Sequence, residues 1–160
     1  MPGSEHSAAN VLHTFERIWH DLRGTKPWPI WCQIDPITLP RQILPHLIVV
    51  DVYEDRDFRY RLTGTRVDEY MGFTLQGYRL SEAPFNGRQD ISQEFLAALK
   101  SEGPRYSNRA LGTKVARYGH TERVIAPLSK RGDGADMLLG AVVYSQPRDV
   151  SSVQFYPRGQ

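Results

Sequence analysis

Cysteine is almost absent from this chain: Cys32 is the single one in 160 residues. One thiol excludes an intrachain disulfide and any cysteine-based zinc site, so stability must come from a hydrophobic core. No apolar run approaches the roughly 20 residues that a membrane helix needs. The polar opening Met1-Pro-Gly-Ser-Glu-His6 lacks the basic and apolar segments of a secretory signal. A cytoplasmic protein without membrane contact is therefore expected. An excess of one charge is missing too: 20 basic residues stand against 18 acidic ones, a formal net charge of +2, with the signs interspersed. Without a basic block, nucleic-acid binding is not indicated. The sequence holds no internal repeat, no low-complexity tract, no Ser-His-Asp set, no Gly-rich phosphate loop and no His-x-x-x-His pair. Neither a catalytic residue nor a metal ligand is assigned.

What is present suffices for one core. At 160 residues and 40% hydrophobic composition, a single domain is the default. Residues 1–10 read as a flexible tail, 11–146 as the domain and 147–160 as a second tail. Asn10 is placed to cap a helix from Val11 to about Leu22, which Gly24 and Pro27 stop. Val11, Phe15, Ile18 and Leu22 form one stripe, widened by Leu12 and Trp19. That is more apolar surface than a lone exposed helix tolerates, so the helix packs on the sheet or on another copy. Val11, Phe15, Ile18, Trp19 and Leu22 are accordingly the expected homodimer or partner surface. A proline-punctuated connection follows, with a short helical turn expected from Pro40 to Leu44.

The segment His46 to Tyr53 is rich in β-branched residues, Glu54-Asp-Arg-Asp57 supplies turn chemistry, and Phe58 to Thr63 alternates apolar with polar. Together they predict a β-hairpin with one buried face. Thr65 and Asp68 have the spacing of a capping box, and Gly72 suits the left-handed residue that ends a short helix. Asp90 opens a second helix reaching about Ser101, with Ile91, Phe95, Leu96, Ala98 and Leu99 on its core side. Three strands are expected afterwards: Arg105 to Leu111, Tyr118 to Leu128 and Met137 to Tyr144. This order predicts an α+β fold, a five-stranded antiparallel sheet with helices on one face and an N-terminal amphipathic helix.

Several segments, in order, resemble the PAS domain. They are Phe58-Arg-Tyr-Arg-Leu-Thr-Gly-Thr65 and Tyr70-Met-Gly-Phe-Thr-Leu-Gln-Gly-Tyr78, with its Gly-x-x-x-x-Gly. Ile18-Trp-His-Asp-Leu-Arg-Gly24, Ile34-Asp-Pro36, Ile43-Leu-Pro-His46 and Ala126-Pro-Leu-Ser129 are similar to a PAS-like family of small alphaproteobacterial proteins. The resemblance implies a ligand between the inner face of the sheet and the helices after the second strand. On strict alternation Tyr60 and Leu62 line that space with Phe58, and Phe95, Leu96 and Leu99 form the opposing wall. The last strand contributes either Met137 and Leu139 or the alternate set Leu138, Gly140, Val142 and Tyr144, since both parities read apolar. His120 and Arg123 have opposite parities, so one of them faces inward as an anchor for a polar or anionic ligand. A filled core without ligand, with both residues as structural groups, is the plainer reading of the same pattern.

No cofactor is assigned. Haem-binding members of the family carry a histidine on the helix between the sheet halves, and Gln89 to Ser101 contains none. The flavin photochemical members need a cysteine after the second strand, whereas Cys32 precedes it. Arg59 and Arg61 either bind an anion or pair with Asp51 or Glu122 nearby. His13 and His20 fall on the polar side of the first helix. The resemblance implies a stand-alone sensory or regulatory module of bacterial signalling, binding a small ligand, a protein partner or both, and no enzyme. The alternatives are a ligand-free interaction adaptor, or a small isomerase or lyase of the ketosteroid-isomerase-like cone type, which requires an inward carboxylate.

Overall fold

A computed structural model describes residues 4–110 and 120–145. Its elements follow the expected order: α1 (Ser4–Arg23), β1 (Leu47–Val52), β2 (Phe58–Thr63), α2 (Thr65–Met71), α3 (Arg88–Leu99), β3 (Arg105–Ala110), β4 (His120–Leu128) and β5 (Met137–Ser145). Leu111 and Tyr118-Gly119, assigned to strands from the sequence, and the 147–160 tail lie outside the described residues. The five strands form one antiparallel sheet in the order β2-β1-β5-β4-β3. This is an α+β fold with both faces of the sheet covered.

One face is covered by α1, whose Val11, Leu12, Phe15 and Trp19 bury themselves on Leu47, Val49, Val124, Ala126, Met137, Leu139 and Ala141. Trp19 is fully buried, and its indole Nε1 donates to the Pro127 carbonyl at 2.8 Å. Proline is tolerated at 127 because β3 pairs β4 only as far as Ile125, so no neighbouring strand on that side asks for its missing N–H. The backbone of Pro29 to Trp31 lies alongside instead, exchanging hydrogen bonds with Ser129. The helix begins at Ser4, earlier than the Asn10 cap anticipated, and Ala8 is already buried. Ala8-Ala9 and Glu5 are strong helix formers, and one further turn brings Ala8 onto the sheet, so propensity and packing carry the helix past Asn10.

The other face carries α2 and α3. Ile48, Val50, Phe58, Tyr60, Ile125, Leu138 and Val142 meet Val67, Leu75, Leu80, Phe95 and Ala98 there. The first residue of α2 is Thr65, but its cap is Gly64, and the Asp68 carboxylate accepts instead from the Thr63 hydroxyl at 2.7 Å. Only glycine fits at 64, since a Cβ there would lie 2.3 Å from the Pro45 carbonyl oxygen. Gly72 ends the helix at φ +80°, as its spacing predicted. A 3-10 turn at Leu44–His46, fed by the Ile43 N–H to Pro40 carbonyl bond, realises the turn expected a little earlier.

One irregularity decides the site. Val49 pairs with Leu62 and Val50 with Tyr60, so Arg61 is the extra residue of a β-bulge. Its guanidinium returns to Asp51 of β1, with Nε 2.9 and 3.0 Å from the two carboxylate oxygens, and lies over the Trp31 ring. Side chains before and after the bulge therefore point to opposite faces.

Candidate functional site

The space between the sheet and the pair α2–α3 is where the chain concentrates polar side chains inside an apolar wall. Phe58 and Phe95 meet edge to face with centroids 5.2 Å apart, and Tyr60 packs on Phe95 at 6.2 Å. Beside them Arg123 of β4 meets Glu94 of α3 as a fork: Nε donates to Oε1 at 3.1 Å and Nη2 to Oε2 at 2.7 Å. The two side chains are only 11% and 17% exposed. Ser107 of β3 donates its hydroxyl to the same Oε1. A bidentate, nearly desolvated pair of this kind fixes position more strictly than a surface salt bridge.

Three tyrosines gather near this pair. Burial first, then the neighbouring Tyr144 and Glu94, push the Tyr60 hydroxyl well above the usual phenol range, with Arg123 opposing. The Tyr144 hydroxyl is pushed up to about 12, chiefly by burial, with Arg123 opposing and Tyr70 adding. Tyr70 of α2 stacks on Tyr144 with centroids 4.2 Å apart and donates to the Tyr144 carbonyl at 3.3 Å. Both phenols stay protonated donors at neutral pH. On the same face His46 Nδ1 lies 3.1 Å from the Val142 carbonyl oxygen. Burial, together with the Arg66 charge, lowers the His46 pKa below its ordinary 6.5 against the pull of that carbonyl.

The structure brings Tyr60, Phe95, Leu96, Leu99 and Arg123 together on this side. It separates the rest. Leu62, expected beside Tyr60, faces α1 because the bulge at Arg61 reverses the alternation. Met137 and Leu139 also lie on the α1 side, and Leu138, Val142 and Tyr144 take their place on the helix-facing side. His120 pairs with Ala110 and Ser145 and shares the parity of Val124, so of the two candidate anchors Arg123 is the inward one. The stripe of Val11, Phe15, Ile18, Trp19 and Leu22 is not a free partner surface: Val11, Phe15 and Trp19 are buried on the chain's own sheet and Ile18 packs against the same cluster.

Glu94 and Ser107 are the residues that sequence reasoning missed. The only available signal was indirect, an acid immediately before Phe95 on a core-facing helix, with an arginine in a strand otherwise apolar from Val124 onward. Of the paired arginines, Arg61 took the structural course anticipated with Asp51.

A second, shallower feature lies at the start of α3. An open depression of about 580 Å³ is bordered by Asp57, Leu80, Ser81, Phe85, Arg88 and Ser92. Its polar groups are mostly spent internally: Ser81 Oγ donates to Asp57 at 2.6 Å, and Arg88 donates to the Ser81 and Ala83 carbonyls. Among the described residues no cluster of three or more His, Cys, Asp or Glu side chains is arranged to hold a metal ion, and no helix is long and apolar enough to cross a membrane.

A family model described as a PAS domain matches residues 7–143. Among solved structures, the PAS domain from Bordetella pertussis BvgS is similar at 18% sequence identity and a TM-score of 0.41, covering 62% of this chain and 75% of that one. No curated protein matches the chain.

Proposed function

This chain belongs to the PAS domain family, and from that premise we propose that it is a sensory or regulatory module that binds a small ligand between its sheet and α2–α3 and passes the change to a protein. The observation that carries this reading is the Arg123–Glu94 fork set among Tyr60, Phe95 and Tyr144. A buried ion pair contributes little net stability compared with apolar residues of the same volume, so its retention in the sheet–helix seam favours a recognition or switching role. A ligand that binds one position of α3 better than another shifts the population of docked states, and a second copy of the chain or a signalling partner reads that shift. The setting proposed is a bacterial cytoplasm, and the narrower likeness to small alphaproteobacterial proteins rests on Ile18 to Gly24, Ile34 to Pro36, Ile43 to His46 and Ala126 to Ser129.

Catalysis is disfavoured by the same geometry. Glu94, the carboxylate paired with Arg123 in the seam, is held by two guanidinium hydrogen bonds and a serine hydroxyl, which leaves it a poor general base. A ligand-free adaptor is favoured by the close filling of the seam, where Phe58, Phe95, Ile125 and Leu138 are each 2% exposed or less. Native mass spectrometry of freshly purified protein, compared with its denatured mass, separates the two. A retained small molecule supports the sensory reading, and a bare chain that binds nothing from a panel of small organic acids and neutral aromatics moves the assignment to the adaptor.

A further inference from the structure

Glu94 sits in the seam as a ligand would. Among the described residues the groups that hold it belong to the sheet: the Arg123 fork from β4 and the Ser107 hydroxyl from β3. The Tyr60 phenol of β2 lies in the same electrostatic neighbourhood. A planar cationic fork and a hydroxyl, with the Tyr60 phenol within electrostatic reach and its ring packed on Phe95, make a recognition set for a carboxylate on a flat apolar body. Glu94 itself is the one member carried by a helix with a modest grip. Only Phe95 and Ala98 of α3 are fully buried, while Ile91, Leu96 and Leu99 are partly so. The other ion pair of α3, Asp90 with Arg109 at 3.8 Å, is mostly solvated at Asp90.

We propose that Glu94 is a resident plug, and that a small aromatic carboxylate displaces it from Arg123, turning Glu94 out to solvent and releasing α3 from β4. The exchange substitutes one carboxylate for another on the same guanidinium, so neither state buries an unpaired charge. Arg123, Ser107 and Tyr60 are fixed by sheet pairing and keep the receptor preformed. This inference rests on the sensory reading above and specifies its ligand class and its moving part.

Benzoate serves as the probe, with benzamide as its neutral counterpart. Glu94→Ala removes the plug, so benzoate at millimolar concentration is expected to raise the melting temperature of this variant by several degrees, with no rise from benzamide or chloride. Its affinity for benzoate should exceed that of the parent by about tenfold or more, since the parent's own carboxylate competes. Adding Arg123→Met to Glu94→Ala should abolish the rescue. Rescue by benzamide as strong as by benzoate, or rescue that survives Arg123→Met, overturns the proposal. Should Glu94→Ala fail to fold, the parent is titrated with benzoate under amide NMR: shifts centred on Glu94, Ser107 and Arg123 support the exchange, and their absence overturns it. A copurified ligand without an acidic group overturns the plug while leaving the sensory reading in place; no ligand of any kind removes both.

Discussion

The two faces of the sheet are packed by different rules. On the α1 side the buried contact is apolar and is pinned by the hydrogen bond from Trp19 Nε1 to the Pro127 carbonyl, with Tyr106 of β3 donating to Glu16 at the exposed edge. On the α2–α3 side a charged fork lies in electrostatic reach of two tyrosines whose phenol groups burial holds in the neutral state. The first arrangement spends its surface on stability, because burial of a large apolar side chain is worth about 2–3 kcal/mol with no desolvation cost to offset it. The second includes a group that favours specificity over stability, because a buried ion pair roughly breaks even against an apolar replacement. One side anchors the fold, and the other is where the proposed ligand acts.

The largest expected effect tests the anchor. Trp19→Ala removes a fully buried indole and its hydrogen bond and should cost about 4 kcal/mol in denaturant unfolding. A loss under 1 kcal/mol would mean that α1 does not hold the sheet. Next, Arg123→Leu leaves Glu94 without its fork and should cost about 3 kcal/mol, whereas pairing it with Glu94→Leu should recover most of that loss. If the double variant is as unstable as the single, the pair is structural cement and the contrast between the faces fails. Gly72→Ala strains the left-handed residue that ends α2 and should cost about 1 kcal/mol, read as a lower denaturant midpoint. The smallest effect is one of pH. His46 has a folded pKa below 6.5, so the unfolded chain binds the proton more readily, and stability that is complete above the unfolded value declines as pH falls through it. The melting temperature should therefore drop between about pH 7 and pH 5 in the parent and drop less in His46→Gln. Equal drops would remove His46 from the account of the helix-facing side.

Most of the fold was legible because its signals are local. β2 begins and ends where the alternation from Phe58 to Thr63 does, and Gly72 stops α2 where a left-handed residue was expected. What was illegible depended on partners distant in the chain. Strict alternation placed Leu62 with Tyr60, and nothing in Phe-Arg-Tyr-Arg-Leu announces that Arg61 bulges; Asp51 and Trp31 hold it there. β5 reads apolar on both parities because it is buried on both faces, so alternation left open which of Met137 and Leu138 faces α1. Thr65 and Asp68 have the spacing of a capping box, yet the close approach of Pro45 makes Gly64 the cap. Glu94 drew no reading because its partner Arg123 lies 29 residues away in the sequence.

The bulge at Arg61 also makes the length of β2 a matter of phase. Phe58 and Tyr60 belong to the α2–α3 side, Leu62 to the anchoring side, and Thr63 again to α2, whose Asp68 it holds. One residue added or removed there re-addresses every side chain downstream as far as the Gly64 contact with Pro45, while the composition of the strand hardly changes. Substitutions along β2 therefore act one side chain at a time, but insertions and deletions act on both faces at once, and Arg61 with its tether to Asp51 is the residue that keeps count.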